Sequence, residues 1–456
     1  MKRKAPPSKT ALAAKKARPE IPDYHLTPST RDETGEIVWP APKDQVDTAR
    51  DFILECAKSN KRTLIVPDKD ADGLTSGAIV YCTLRALGLP EDLISVHHVQ
   101  RANSIFSDSE RAAMASKNPS FIIVLDQGSR PSPPLMPQPH QTLVIDHHYA
   151  PTSASFPLEA VFCTANASPP VATSSLLTYI LCTALHPSLR DRCAALCVIG
   201  THGDLGNSIK WEAPFPDMTA TFKQYTRKAL NDAVALVNAP RRTAAYNVHA
   251  AWDALLSFSN SGSLTELLQN KDLHAARSTV SAEVERCTHS APKFSADGRI
   301  AVLRIASQAQ VHGVIATRWA GHLKSEKLEV VMVANEGYSQ GKVHFSCRAV
   351  RGKRGVDIIA LLEEYANASD EPRKDGEERG TLRARLGENF AQGHVQASGG
   401  IVKAEEFEEL MRHMRVGEKV EKNPGEKTSP KKGGKKGGIG ERQKNTLTNY
   451  FSRSNG

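Results

Sequence analysis

The stretch Leu64-Ile65-Val66-Pro67-Asp68-Lys69-Asp70-Ala71-Asp72-Gly73 decides the reading of this chain. An apolar, β-rich run over residues 62–67 stops on three closely spaced aspartates and a glycine. The same join occurs three more times. Ile122-Ile123-Val124-Leu125 leads into Asp126-Gln127-Gly128, Leu143-Val144-Ile145 into Asp146-His147-His148, and Leu196-Cys197-Val198-Ile199 into Gly200-Thr201-His202-Gly203-Asp204. Helical patterns at 48–56, 74–87, 171–185 and 190–199 are interleaved with β-rich runs at 62–67, 93–99, 121–125 and 142–145. Near-continuous Val/Ile/Leu strands separated by helices predict a parallel sheet covered on both faces. In such sheets ligands sit outside the carboxyl ends of the strands, where these acids fall.

In an extended chain Asp68, Asp70 and Asp72 project to one side, because side chains alternate. Three carboxylates on one face repel one another and destabilise the fold unless they are protonated or bridged by cations. Asp126, His147 and Asp204, from neighbouring segment ends, complete a mixed oxygen and nitrogen set suited to Mn²⁺ or Mg²⁺, the imidazole favouring Mn²⁺. No thiol lies nearby, which argues against structural zinc. Taken singly, Asp-Gly after a strand is ordinary turn chemistry, and an Asp-His-His triplet is a frequent accident. Four such joins in one predicted domain are not. His97 and His98, within a predicted strand, read as core or edge residues. The eight cysteines show no CxxC and no framework spacing, so they read as reduced, mostly buried thiols, with Cys193 and Cys197 filling the core side of a helix.

Together these motifs, with Thr75-Ser76 two residues beyond the first, resemble the DHH phosphoesterase superfamily, and the first motif is most similar to its RecJ-type single-strand exonuclease branch. Asn238-Ala239-Pro240-Arg241-Arg242 resembles the Asn-Ala-x-x-Arg element of the RecJ bridging segment. His312-Gly313-Val314-Ile315-Ala316-Thr317-Arg318 resembles the start of the DHH-associated C-terminal domain. Ser346-Cys347-Arg348 and Gly393-His394-Val395-Gln396-Ala397-Ser398-Gly399 resemble that domain's later signatures. The resemblance covers roughly residues 46–414. It implies a two-ion phosphoesterase using two Mn²⁺, with Mg²⁺ as the second candidate. Asp126 bridges the ions, Asp68 and Asp70 complete one site, and Asp72, His147 and Asp204 complete the other. Asp146 orients the histidines, and His148 contacts the scissile phosphate. Arg242, Arg318, Ser346, Arg348, Gly393 and His394 bind substrate. Three departures stand out: Gln392 replaces a glycine of the last signature, Val66 replaces a metal-binding histidine of many members, and residues 369–387 look like an insertion. Bacterial RecJ enzymes commonly add an OB-fold after this core, where here only a tail follows.

The organisation expected along the chain is a disordered basic tail (1–40), a DHH domain (41–210), a helical bridge (211–290), a smaller α/β DHH-associated domain (291–415) and a second disordered basic tail (416–456). The 456 residues, 40% hydrophobic and 24% charged, exclude disorder throughout, and no apolar run approaches the length of a membrane span. Of the net charge of +9, residues 1–20 carry +6 and residues 415–456 carry +7, so the body between is mildly acidic at −4. Lys2-Arg3-Lys4 and Lys15-Lys16-Ala17-Arg18 have the layout of a bipartite nuclear import signal, implying an import receptor and a nuclear location. Leu447, Tyr450 and Phe451 are spaced like the PIP box that docks on the replication sliding clamp, although Gln443 lies one residue early. Ser429-Pro430 resembles a proline-directed kinase site. The function expected is a Mn²⁺-dependent 5′-to-3′ exonuclease on single-stranded DNA in nuclear replication or repair. An oligonucleotidase clearing short RNA or DNA fragments and a non-catalytic replication scaffold are the alternatives.

Overall fold

The computed structural model describes residues 28–418 apart from 151, 324, 354 and 369–379. The import-type clusters of 1–20, the kinase-type site and the clamp-type residues Leu447, Tyr450 and Phe451 lie outside the described residues.

The first unit runs α1 (Lys43–Ser59), β1 (Thr63–Pro67), α2 (Ala71–Ala86), β2 (Ile94–Val96), α3 (Asp108–Ser116), β3 (Phe121–Leu125), β4 (Gln141–Asp146), β5 (Val161–Thr164), α4 (Ser174–Thr183) and α5 (Leu189–Leu205). Its five strands pair in the order β2-β1-β3-β4-β5, all parallel. Their apolar residues leave no polar face because both faces are covered. Ile65, Ile123, Leu125, Leu143 and Ile145 join the core beneath α1, α2, α4 and α5. Their neighbours Leu64, Val66, Ile122, Val124 and Val144 pack on the other side with Met114 of α3, Ile105 and Leu135. Strand alternation therefore feeds two cores from one sheet.

Five helices follow: α6 (Thr219–Gln224), α7 (Arg227–Val237), α8 (Val248–Ser261), α9 (Leu264–Leu268) and α10 (Lys271–Cys287). Helix α10 ties the two halves together, since Leu273 near its start is buried in the first core and Val280, Val284 and Cys287 near its end belong to a core of the second sheet. The second unit runs β6 (Lys293–Phe294), β7 (Ile300–Ile305), α11 (His312–Ala320), β8 (Val330–Ser339), β9 (Lys342–Ala349), α12 (Ile358–Ala366), α13 (Leu382–Leu386), β10 (Gln392–His394), β11 (Ala397–Lys403) and α14 (Ala404–His413). The order is β10-β11-β9-β8-β7-β6, with only β7 and β8 parallel.

The mixed α/β architecture agrees with the sequence reading, and the differences have physical causes. Strand β5 is short and its sequence carries no acidic terminus to mark it. Strand β2 ends at Val96, so His97 and His98 lie beyond it, buried; His97 Nε2 sits 2.8 Å from Glu110 Oε2. Helix α5 does not stop at Ile199 but runs on to Leu205, because Thr201 and His202 are buried and continue its inner face. Within the stretch 369–387, Leu382 and Leu386 of α13 are buried in the second core. All eight cysteines are free and buried. Among the described residues no helix is long and apolar enough to cross a membrane.

Candidate metal centre and arginine cavity

Each acid is placed by the end of an element. Asp68 follows β1. Asp70 is the N-cap of α2, its Oδ1 accepting from the backbone N–H of Asp72 (3.1 Å) and of Gly73 (3.2 Å). Asp72 therefore sits in the first turn of a helix, and the extended-chain argument for a common face of Asp68, Asp70 and Asp72 does not hold. Asp126 follows β3 with φ +60°, a left-handed conformation to which aspartate is better suited than most residues. Asp146 ends β4 and hands over to His147 and His148. Asp204 lies in the last turn of α5 rather than after a strand. Gly200 permits that placement: a Cβ there would sit 2.3 Å from both Ser175 Oγ and Thr75 Oγ1, so only glycine lets α5 cross α2 and α4 this closely.

These ends converge. Potential ligand atoms of Asp68, Asp70 and Asp126 lie within 4.8 Å of one another, as do those of Asp72, Asp126, His147 and Asp204, and those of Asp126, His147 and His148. Asp126 is common to all three groups. His147 Nε2 is 3.2 Å from Asp126 Oδ1 and 3.2 Å from Asp204 Oδ2. The N-terminus of α4 supports the cluster from behind. Backbone N–H groups of Ser174 and Ser175 donate to Asp72 Oδ2 (2.7 Å) and Oδ1 (3.0 Å), and Ser174 Oγ donates to Asp126 Oδ1 (2.9 Å). Asp146 is turned elsewhere: its Oδ1 accepts from His147 N (2.8 Å) and pairs with His148 Nδ1 (2.7 Å), while Oδ2 accepts from Ser129 N and Oγ. Sequence reasoning singled out neither Ser174 nor Ser129. The signal for Ser174 is its place at the start of a predicted helix; nothing local marks Ser129.

Buried carboxylates this close resist ionisation. Burial, then Asp204, pushes Asp72 up to about 6, and burial with the repulsion of Asp72 lifts Asp126 well above the usual carboxylate range. Burial alone would make His147 less basic, but its contacts with Asp126 and Asp204 outweigh that and raise it. Asp70 is half-buried, and although that burial resists ionisation, the Arg241 guanidinium, with Nη2 3.6 Å from Oδ2, brings it below its ordinary value. A cluster of oxygens and one imidazole nitrogen that holds protons in place of missing positive charge fits divalent cations, and the O-rich donor set fits Mn²⁺ or Mg²⁺.

Between the two sheets lies a cleft of about 1000 Å³. One wall carries Asp68, Asp126, Asp146, His148 and Tyr149, a residue 78% exposed; the other carries Ile359, Asn389, Gln392, Gly393 and Val395. Gly393 stands at φ +109°, and a Cβ on it would lie 2.7 Å from Ala397 O, so this is the glycine the β10–β11 hairpin requires. Gln392, where the resemblance expects another glycine, fits the strand and donates from Nε2 to Glu388 O (2.6 Å). A separate cavity of about 440 Å³ is lined by Arg241, Arg242, Arg318, Ser346 and Arg348, with Gln310 and His312. The six residues assigned to substrate therefore divide: Arg242, Arg318, Ser346 and Arg348 share the arginine cavity, Gly393 lines the main cleft, and His394 shares strand β10 with Gly393. Arg241, given no role from sequence, joins the two regions, because it lines the cavity and lies against Asp70.

Residues 62–201 match the model of the DHH family, N-terminal domain. The fold is similar to RecJ from Thermus thermophilus in complex with Mn²⁺ (17% identity, TM-score 0.55), covering 83% of this chain and 55% of that one, so this chain spans about half the length of that protein. It is similar also to exonuclease RecJ bound to manganese (18% identity, TM-score 0.53, 83% of this chain and 95% of that one). A third similar structure is a DHH domain described as belonging to a family of ribosomal proteins (13% identity, TM-score 0.58, 82% and 90%). No curated protein matches the chain by sequence.

Proposed function

We propose that this chain, whose residues 62–201 match the model of the DHH family, N-terminal domain, and whose fold is similar to RecJ, is a metal-dependent phosphoesterase, and specifically a Mn²⁺-dependent exonuclease that removes nucleotides from the 5′ end of single-stranded DNA. The observation that carries this reading is the meeting of two ligand groups on Asp126, beside a cavity of four arginines.

In this reading Asp68, Asp70 and Asp126 hold one divalent ion, and Asp72, Asp126, His147 and Asp204 hold the other. Divalent ions held by these residues would supply neutralisation of phosphate charge and acidification of an attacking water. The chain's own side chains do the rest. Ser174 fixes the shared carboxylate of Asp126 through Oγ and that of Asp72 through its backbone N–H. Asp146 holds His148 by Nδ1, so that the imidazole lines the cleft where the scissile phosphate enters. Arg348 and Arg318 take phosphates of the bound strand, and Gly393 lets the backbone approach it. Tyr149 offers a face on which a base can stack without regard to sequence.

The test is digestion of matched single-stranded DNA and RNA oligomers, labelled at either end, with Mn²⁺ and with chelator. Manganese-dependent release of mononucleotides from the 5′ end of DNA supports the proposal; attack restricted to the shortest oligomers supports an oligonucleotidase instead, a reading favoured by the acidic body. No digestion of any oligomer points to a scaffold. Nuclear import through Lys2–Lys4 and Lys15–Arg18, and clamp docking through Leu447, Tyr450 and Phe451, remain part of the proposal. Import is checked by localising a chain lacking residues 1–20, and docking by calorimetry of a 436–456 peptide with the clamp.

A further inference from the structure

The two ligand groups that meet on Asp126 differ in one respect that their shared chemistry does not require. Asp68 and Asp70 each already have a basic side chain of this chain beside them. Lys69 Nζ lies 3.2 Å from Asp68 Oδ1, and Arg241 Nη2 lies 3.6 Å from Asp70 Oδ2. All four side chains are less than one-third exposed, so water screens these pairs only in part. Asp70 is further engaged as the cap of α2.

Asp72, Asp126 and Asp204 have no lysine or arginine ion pair among the described residues; His147 Nε2 lies 3.2 Å from both Asp126 and Asp204, and it becomes a neutral ligand when it takes a metal. Both carboxylate oxygens of Asp72 are fixed by the α4 amides, and Asp126 is fixed by Ser174 Oγ. Counting the shared Asp126 with each, one group presents three negative charges with no lysine or arginine paired to them among the described residues, and the other three negative charges with two such cations. Affinity for a hard divalent ion follows ligand charge and site rigidity.

Resting on the two-ion reading above, we propose that Lys69 and Arg241 are built-in counter-cations that make the two sites unequal. The site of Asp72, Asp126, His147 and Asp204 keeps a resident ion. The site of Asp68, Asp70 and Asp126 takes its ion weakly and exchanges it, because the ion must compete with an ammonium and a guanidinium for the same oxygens. Both basic residues lie inside motifs quoted from the sequence, yet neither belongs to a ligand pattern. They are positioning residues: they act on the affinity of the carboxylates rather than on the reacting atoms.

The experiment is Mn²⁺ titration of the full chain stripped of metal, followed by calorimetry and by the electron paramagnetic resonance signal of free Mn²⁺, with no nucleic acid present. The wild type is expected to bind in two phases of one ion each. Asp204→Asn is expected to abolish the tight phase. Lys69→Met is expected to tighten the weak phase about tenfold or more, the scale of one unit charge acting on a divalent ion a few ångströms away even in water, and to leave the tight phase unchanged. Lys69→Arg, which keeps the charge, is expected to keep the weak phase weak, and Arg241→Gln tests the second cation independently. Two equal phases in the wild type, or a weak phase that Lys69→Met leaves unchanged or weakens, overturn the proposal. Equal phases in a chain that still digests DNA overturn this inference alone; a chain that binds no Mn²⁺ overturns the two-ion reading with it.

Discussion

The acidic rim and the arginine cavity are both clusters of like charge, and the fold treats them in opposite ways. At the rim, carboxylates arriving from β1, α2, β3 and α5 are held by protein donors: the amides of Asp72 and Gly73 for Asp70, those of Ser174 and Ser175 for Asp72, and Ser174 Oγ for Asp126. Among the described residues no carboxylate lines the cavity, burial draws Arg318 and Arg348 below the usual guanidinium range, and Gln310 Oε1 and His312 Nδ1 are buried with no hydrogen-bond partner. The rim is preorganised around small cations at fixed geometry. The cavity is under-satisfied and suits a larger anion that brings several acceptors at once. A phosphodiester strand meets both needs, since its phosphates can fill the cavity while one of them reaches the rim.

The comparison breaks most sharply at Asp126. Asp126→Asn keeps the shape of the side chain but removes the charge common to both ligand groups, and hydrolysis is expected to fall by about 10³-fold or more, the several kcal/mol that a metal site supplies to a transition state. Steady-state rates with Mn²⁺, alongside a thermal melt to show that the variant folds, check this. DNA binding through the cavity should survive. If Asp126→Asn abolishes DNA binding as well, the two regions are not separable.

The converse variant is Arg348→Ala. Charged hydrogen bonds to phosphate are worth about 1.5–3 kcal/mol, so KM for single-stranded DNA is expected to rise by about 10- to 100-fold, with Mn²⁺ affinity unchanged. Fluorescence anisotropy with labelled oligomers and Mn²⁺ calorimetry on the same preparation separate the two quantities. Loss of metal affinity in this variant removes the cavity's claim to be a substrate site.

Ser174 tests the support beneath the rim. Groups that orient metal ligands typically contribute about 10- to 100-fold in metal affinity or activity. Ser174→Ala deletes only the hydroxyl donated to Asp126 and leaves the backbone N–H to Asp72 in place. The expected loss is therefore toward the lower end of that range, with Ser174→Thr restoring it. This residue also marks how far the sequence could be read. The strands β1, β3 and β4 and the acids at their ends were legible because each is a run of buried residues stopped by a polar cluster, a local pattern. The convergence of Asp72 and Asp204 was legible only as a resemblance, since one sits in the first turn of α2 and the other in the last turn of α5, which no alternation rule brings together. Lys69 and Arg241 were not legible at all, and Ser174 only as a residue near the start of a predicted helix. Their importance is a matter of which oxygen they face across the fold, and a serine, lysine or arginine beside a motif looks the same whether or not it faces one.

The last contrast between the two regions is their response to acid. Asp72 is pushed up to about 6 and His147 is raised above its ordinary value, so protons compete with Mn²⁺ for both. The sign follows directly: Asp72 takes up a proton as pH falls through about 6, and His147 is more readily protonated than an ordinary imidazole, so both must lose protons to become ligands and Mn²⁺ affinity falls as pH drops from about 7.5 toward about 5.5, with proton release on binding growing in the same direction. The guanidinium groups of the cavity keep their charge throughout that window. Metal-free binding of single-stranded DNA is therefore expected to stay level across the same window while Mn²⁺ affinity drops by up to about tenfold per unit of pH for each proton displaced. Calorimetry in two buffers of different ionisation enthalpy counts the released protons. Parallel curves for DNA and Mn²⁺ would show that the carboxylates and the arginines answer to one shared titration, and the contrast between the regions would then lose its electrostatic basis.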